Sequence, residues 1–162
     1  MLEKTGIPTE EQLKEVTPSK ERLSRGPVAI IECFQEIPCN PCYTSCSTGA
    51  IKELVDINEK PEVDFDKCNG CGICISNCPG LAIFVVDESY SEDKALIKLP
   101  YEFLPLPEKG DMVKALDRSG QVVGQAEVVK VVNSKAQDRT PVIWIAVDKE
   151  LSMRVRNIEM GV

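Results

Sequence analysis

The sequence predicts an α+β chain in three parts: an N-terminal arm over residues 1–26, a cysteine-bearing unit over 27–95, and a small all-β, barrel-like module over 96–162. Three observations carry that division. All eight cysteines fall between Cys33 and Cys78. The cysteine-bearing stretch is also the acidic one, with net charge −8 over 27–95 against zero over 1–26 and +1 over 96–162. Beyond residue 95, short runs rich in valine and isoleucine alternate with turn signals, the pattern of a strand-dense module.

Composition narrows the chemistry before any motif is read. The 162 residues are 43% hydrophobic and 28% charged, the balance of a soluble globular chain. The longest apolar runs, Leu81–Val86 and Val142–Val147, are too short to span a bilayer. Met1–Pro8 carries acids and a proline and no apolar core of a secretory signal, so a reducing, cytoplasmic setting is expected. Net charge is −7 without a cluster of Lys and Arg, which argues against a nucleic-acid partner. Histidine is absent, which removes Ser-His-Asp and Cys-His nucleophiles, His-ligated metals and imidazole acid–base chemistry. Cysteine and carboxylate are what remain.

In the arm, Thr9 precedes Glu10-Glu11-Gln12-Leu13 as a helix cap, and Pro18–Leu23 marks a second turn. Neither segment has an apolar stripe wide enough for a core, so the arm is expected to pack on another surface.

The cysteines follow a rule of spacing. Cys68, Cys71, Cys74, Cys78 and Pro79 form C-x2-C-x2-C-x3-C-P, with Gly70 and Gly72 between the ligand positions. Three thiolates at intervals of three wrap three corners of one cubane cluster; the fourth is carried onward and points to a second cluster. Small residues between them let backbone N–H groups approach the sulfurs. A second motif stands upstream: Cys33, Cys39, Cys42 and Cys46 form C-x5-C-x2-C-x3-C. The residues after each motif also repeat, Cys46-Ser-Thr-Gly-Ala-Ile against Cys78-Pro-Gly-Leu-Ala-Ile, and a strand-like segment precedes each, Val28–Glu32 and Val63–Asp66. The unit is an internal duplication with two metal-binding loops.

On these motifs residues 27–90 resemble a bacterial-type ferredoxin domain with two 4Fe–4S clusters, a fold of two βαβ-like halves related by pseudo-twofold symmetry. The resemblance implies crossed ligation: Cys33, Cys39, Cys42 and Cys78 on one cluster, and Cys46, Cys68, Cys71 and Cys74 on the other. The Cys33–Cys39 interval is three residues longer than its counterpart, and Pro38 and Pro41 stand where the family has small residues. That departure leaves a 3Fe–4S first cluster with Cys33 as a neighbour beside the full assignment, which uses every cysteine. Two four-cysteine zinc sites would gain nothing from the third cysteine and closing proline of the second motif. Disulfides between such closely spaced cysteines would be strained. A radical-SAM site needs the reverse order, C-x3-C-x2-C. More narrowly, Gly26–Cys42 resembles the ferredoxin-like small subunit of multi-subunit FAD-dependent dehydrogenases of proline, hydroxyproline, sarcosine and opines, in which other subunits carry flavin and substrate.

The last third reads as strands at Ala95–Leu99, Met112–Leu116, Val122–Val132, Val142–Val147 and Met153–Ile158. Val142–Val147 is apolar on both faces and should be central; Met153-Arg-Val-Arg alternates and should be an edge. Trp144 and its apolar neighbours suffice for a separate small core. Every cysteine precedes Ser91, so this module is expected to be dispensable for metal binding and to serve attachment.

The function these readings predict is electron transfer without catalysis by the chain itself. Electrons would pass one at a time between a FAD-containing oxidoreductase partner in a hetero-oligomer and an acceptor, through two 4Fe–4S clusters. A free ferredoxin shuttle and a zinc-binding interaction protein are the alternatives. Asp64, Asp66, Asp87, Glu88, Glu92 and Asp93 read as a solvated face. Tyr43 and Phe84 read as packing that shields the cysteine loops from water.

Overall fold

The computed structural model describes residues 2–161. The arm folds as three short helices, α1 (Leu2–Thr5), α2 (Glu10–Val16) and α3 (Lys20–Arg25). At α2 the Thr9 hydroxyl accepts from the Gln12 N–H at 3.3 Å, and the Gln12 side chain accepts from the Thr9 N–H at 2.9 Å, a reciprocal capping box. Ser19 caps α3 by accepting from the Arg22 N–H at 3.1 Å. The surface on which the arm packs is now visible: Leu23, buried, meets Val28, Ile30 and Val86.

Those residues belong to β1 (Val28–Ile31) and β2 (Ile83–Asp87). The two strands pair antiparallel, with Val28 opposite Val86 and Ile31 opposite Ile83. Between them in sequence lie two one-turn helices inside the cysteine motifs, α4 (Pro41–Ser45) and α5 (Ile73–Asn77). The strand expected at Val63–Asp66 shrinks to a single bridge between Ile51 and Val63. Asp64 ends it: its carboxylate accepts from the Asp66 N–H and its carbonyl from the N–H groups of Lys67 and Cys68, so the chain turns there. Successive residues of β1 point to opposite faces, Val28 and Ile30 to the arm and Ala29 and Ile31 to the cysteine loops. The pair is thus buried on both sides.

The remaining strands are β3 (Lys94–Pro100), β4 (Met112–Leu116), β5 (Val122–Val132), β6 (Val142–Asp148) and β7 (Asn157–Glu159). All seven form one antiparallel sheet in the order β1-β2-β3-β6-β5-β4-β7. Among the described residues the sheet is open, with β1 and β7 at its two ends. β3 pairs with β2 on one side and β6 on the other, so the boundary expected at 95/96 falls inside a strand. The β-rich third therefore continues the sheet of the cysteine-bearing unit. A bulge in β5 near Lys130 helps the sheet curl, so that Ile97, Val113, Val128, Ile145 and Ile158 share one buried cluster.

Two further expectations change. The edge strand starts only at Asn157, because Ser152–Arg156 turns: the N–H groups of Arg154 and Val155 both donate to the Leu151 carbonyl. Arg156 is buried rather than displayed; its guanidinium donates to the Ser152 and Val155 carbonyls and pairs with Glu32. Trp144 does not seed a separate core. It packs toward the cysteine loops with Ala29, Ile75 and Val85. No helix among the described residues is long and apolar enough to cross a membrane.

Removing the chain after Ser91 strips β3 from β2 and takes away the cluster into which Phe84 packs. A 1–91 chain should therefore lose cooperative thermal unfolding and retain less iron than the full chain after anaerobic loading. Full iron content and an unaltered melting curve in the truncated chain would contradict the continuous sheet.

Candidate metal centre

Cys33 lies two residues beyond the end of β1, Cys42 sits on α4, and Cys78 follows α5. With Cys39, whose N–H donates to the Ile57 carbonyl at 3.2 Å, they line one cavity. Its other walls are largely apolar, including Ile31, Ile37, Pro61, Pro79 and Ile83, with Glu59 at the side. Burial pushes the Cys33 and Cys42 thiols up, and the nearby thiols of Cys78 and Cys39 push the same way. The Cys78 sulfur accepts from the Ala82 N–H at 3.4 Å.

The other four cysteines gather around α5. Cys74 is buried, and its thiol is pushed up to about 12, first by burial and then by Cys68, Cys71 and Cys46. Cys68 accepts from the Ala29 N–H at 3.3 Å. Cys46 goes the other way: burial raises it, but the Thr48 hydroxyl and the N–H groups of Ile51, Ala50 and Thr48 outweigh burial and lower it. Cys71 alone of this set is exposed. The loops thus cross: Cys78 joins the first motif's Cys33, Cys39 and Cys42, and Cys46 joins the second motif's Cys68, Cys71 and Cys74.

None of the eight cysteines is paired in a disulfide. No three His, Cys, Asp or Glu side chains among the described residues converge closely enough for a single ion. The first set instead stands around a cavity, and two groups of four thiols with backbone N–H bonds to sulfur are a donor set that suits iron–sulfur clusters. Metal must displace the thiol proton. In the metal-free chain burial keeps Cys74 protonated, so the fold is disfavoured increasingly as pH climbs from about 9 to about 12, where an unfolded chain would already carry the thiolate.

The loop Cys68–Cys71 is fixed from three directions. Gly70 has φ +70°, and a Cβ there would lie 2.4 Å from Pro27 Cβ, so only glycine lets the loop close on the start of β1. Arg22 of α3 donates to the carbonyls of Phe65, Gly26, Pro27 and Cys68 at 2.6, 3.0, 3.1 and 2.9 Å. Lys98 of β3 donates to the Gly70 carbonyl at 2.9 Å, and its ammonium lies 4.1 Å from the Trp144 ring centre. Burial lowers Lys98, while the Cys71 thiol and Asp87 pull it back. These supporting residues escape the sequence reading, although Lys98 leaves a trace: a lone charge in the otherwise apolar run Ala95–Pro100.

The carboxylates do not gather into a site. Asp64 and Asp87 cap turns, Asp66 pairs with Arg25 at 3.0 Å, and Glu88 accepts from the Ser152 hydroxyl at 2.8 Å. Glu92 and Asp93 are exposed. Tyr43 packs beside Cys42, as expected. Phe84 does not face the cysteine loops; it lies under Arg156, 5.1 Å from ring centre to guanidinium, in the core of the large sheet.

Residues 61–84, which include Cys68, Cys71, Cys74 and Cys78, match the family described as "4Fe-4S binding domain". This segment is thus similar to a 4Fe–4S binding domain. Over 52 residues the chain is 44% identical to "Pyruvate synthase subunit PorD" of Methanocaldococcus jannaschii, covering 32% of this chain and 58% of that protein. Over 61 residues it is 38% identical to "Ferredoxin-type protein NapF" of Haemophilus influenzae, covering 36% of this chain and 35% of that one. The match to NapF of Escherichia coli K12 is 35% over 52 residues, 31% of this chain and 32% of that protein. The chain thus spans from about a third to somewhat over half of these relatives. No solved structure matches it.

Replacing Gly70 with alanine combines a left-handed backbone with overlap on Pro27, and should cost at least about 2 kcal/mol. Gly80→Ala, whose Cβ would come no nearer than 4.0 Å to the Cys78 sulfur, should be nearly neutral. Denaturant unfolding of both variants checks this; equal midpoints would show that the Gly70 contact is not a constraint.

Proposed function

We propose that the chain is an iron–sulfur electron-transfer subunit holding two 4Fe–4S clusters, one on Cys33, Cys39, Cys42 and Cys78 and one on Cys46, Cys68, Cys71 and Cys74. The observation that carries this reading is that Cys78 lines one cavity with Cys33, Cys39 and Cys42, while Cys46 lies with Cys68 and Cys71 near enough to act on Cys74. When bound, each cluster supplies a single one-electron step. The protein's part is physical. Eight thiolates hold the iron, the N–H groups of Ala29 and Ala82 bond to sulfur, and Ile31, Ile37 and Ile83 keep water from the first site. In this reading the chain passes electrons and turns over no substrate of its own, a role supported by relatives named as a subunit and as a ferredoxin-type protein.

The donor in this reading is a FAD-containing subunit of an amino- or imino-acid dehydrogenase, within a hetero-oligomer. Support comes from the Gly26–Cys42 resemblance and from the apolar side chains displayed near the first cysteine set. Ile37 is 45% and Ile57 48% exposed, and both lie beside Cys39. Two one-electron centres would take the two electrons of a reduced flavin in sequence. A second reading has one specific observation behind it: the PorD relative is named as a subunit of pyruvate synthase, which makes a complex of that type the competing partner.

Protein purified anaerobically from its native source, with whatever assembles on it, should contain about eight iron and about eight acid-labile sulfide per chain. The co-purifying chains should carry flavin. Iron near four, or zinc in its place, would refute the two-cluster reading; a flavin-free partner that oxidises pyruvate would refute the donor and establish the second reading.

A further inference from the structure

The two cysteine sets lie in unequal electrostatic surroundings. Lys98 and Arg22, 9% and 8% exposed, donate directly to carbonyls of the loop that carries Cys68 and Cys71. Neither forms a salt bridge among the described residues. Asp87 acts on Lys98 only at a distance and accepts hydrogen bonds from Ser89 instead. Lys130 also lies over the Trp144 ring, 4.6 Å from its centre. On the side of the first set Arg118 and Arg156 both pair with Glu32, the residue before Cys33, and Lys60 lines an open groove with Cys33 in the company of Glu15 and Glu62. No Lys or Arg among the described residues donates to a carbonyl of the Cys33–Cys46 loop, and Glu59 adds a carboxylate at its cavity.

An added electron makes a thiolate-bound cluster more negative. A buried cation that makes no salt bridge favours that state, and favours it more strongly than an exposed one because water does not screen it. We infer that Lys98 and Arg22 make the site of Cys46, Cys68, Cys71 and Cys74 the higher-potential member of the pair. This rests on the two-cluster reading. One electron then leaves the Cys33/Cys39/Cys42/Cys78 site as one enters the other, with no atom transferred. Electrons enter at the first set and collect at the second, where Cys71 reaches the surface and gives an acceptor a short path. Lys98 and Arg22 touch loop carbonyls rather than sulfur, so they are positioning residues acting through charge.

The test is a dithionite titration of the full-length, iron-loaded protein followed by electron paramagnetic resonance, with iron counted in every sample. Two one-electron steps are expected in the unsubstituted chain. Lys98→Met should lower the upper step by at least about 59 mV, a tenfold change in electron partition between the sites, and move the lower step by less than half of that. Lys98→Arg should retain the upper step, which a purely structural role for the lysine stem does not predict. Should Lys98→Met load poorly, Arg22→Met gives the same directional shift. The signal that appears first should be the one altered by Cys71→Ser. About eight iron per chain with an unmoved upper step, or a shift confined to the lower step, overturns this inference alone. About four iron in the unsubstituted chain overturns the two-cluster reading and this inference with it.

Discussion

The antiparallel pairing of β1 with β2 is the constraint on which the rest depends. With Ile31 opposite Ile83, Cys33 just beyond one strand comes to Cys78 just before the other. The bridge between Ile51 and Val63 does the same work in the other half with a single residue pair. Cys46 stands five residues before Ile51, and Cys78 five residues before Ile83, so each motif's last cysteine is returned to the opposite loop. A slip of one residue in the β1–β2 register would turn Ala29 and Ile31 away from the loops and break the N–H bond from Ala29 to the Cys68 sulfur.

The register is secured from both faces. On one, Leu23 of the arm packs against Val28 and Ile30. On the other, Ile75, wholly buried, fills the space between the strands and the second cysteine set. A third tie joins the far end of the sheet to the first loop: Glu32 accepts from both Arg118 and Arg156. Such a buried pairing is weak evidence for stability, because removing the charges from water costs free energy, but losing Glu32 would leave two guanidinium groups uncompensated. The β-rich third is thereby part of the metal-binding scaffold, through Lys98 on one loop and Arg118 and Arg156 beside the other.

What was legible in the sequence was local. Thr9 caps a helix where the polar residue before an acidic turn marks it, and β4 and β5 have the bounds that their valine-rich runs predict. The two cysteine motifs stand out because iron–sulfur chemistry fixes their spacing. What was not legible depends on partners distant in the chain. Lys98 meets Gly70 across 28 residues and Arg22 meets Cys68 across 46, and nothing in the local pattern of either segment encodes the other. The same holds for Trp144: alternation along β6 shows that it faces one side, but only the β3–β6 register shows that this side carries the cysteine loops. The predicted boundary at 95/96 failed for the same reason, since a strand shared between two halves of a sheet looks in sequence like the first strand of the second.

The crossing of the two motifs is the central claim, and single cysteine-to-serine variants of the full chain test it most directly by electron paramagnetic resonance of the reduced protein. Cys46→Ser should alter the same signal as Cys71→Ser, although 25 residues separate the two positions, and Cys78→Ser should alter the same signal as Cys39→Ser. If Cys46→Ser instead alters the signal that Cys39→Ser alters, each motif closes on its own cluster and the crossed arrangement is wrong.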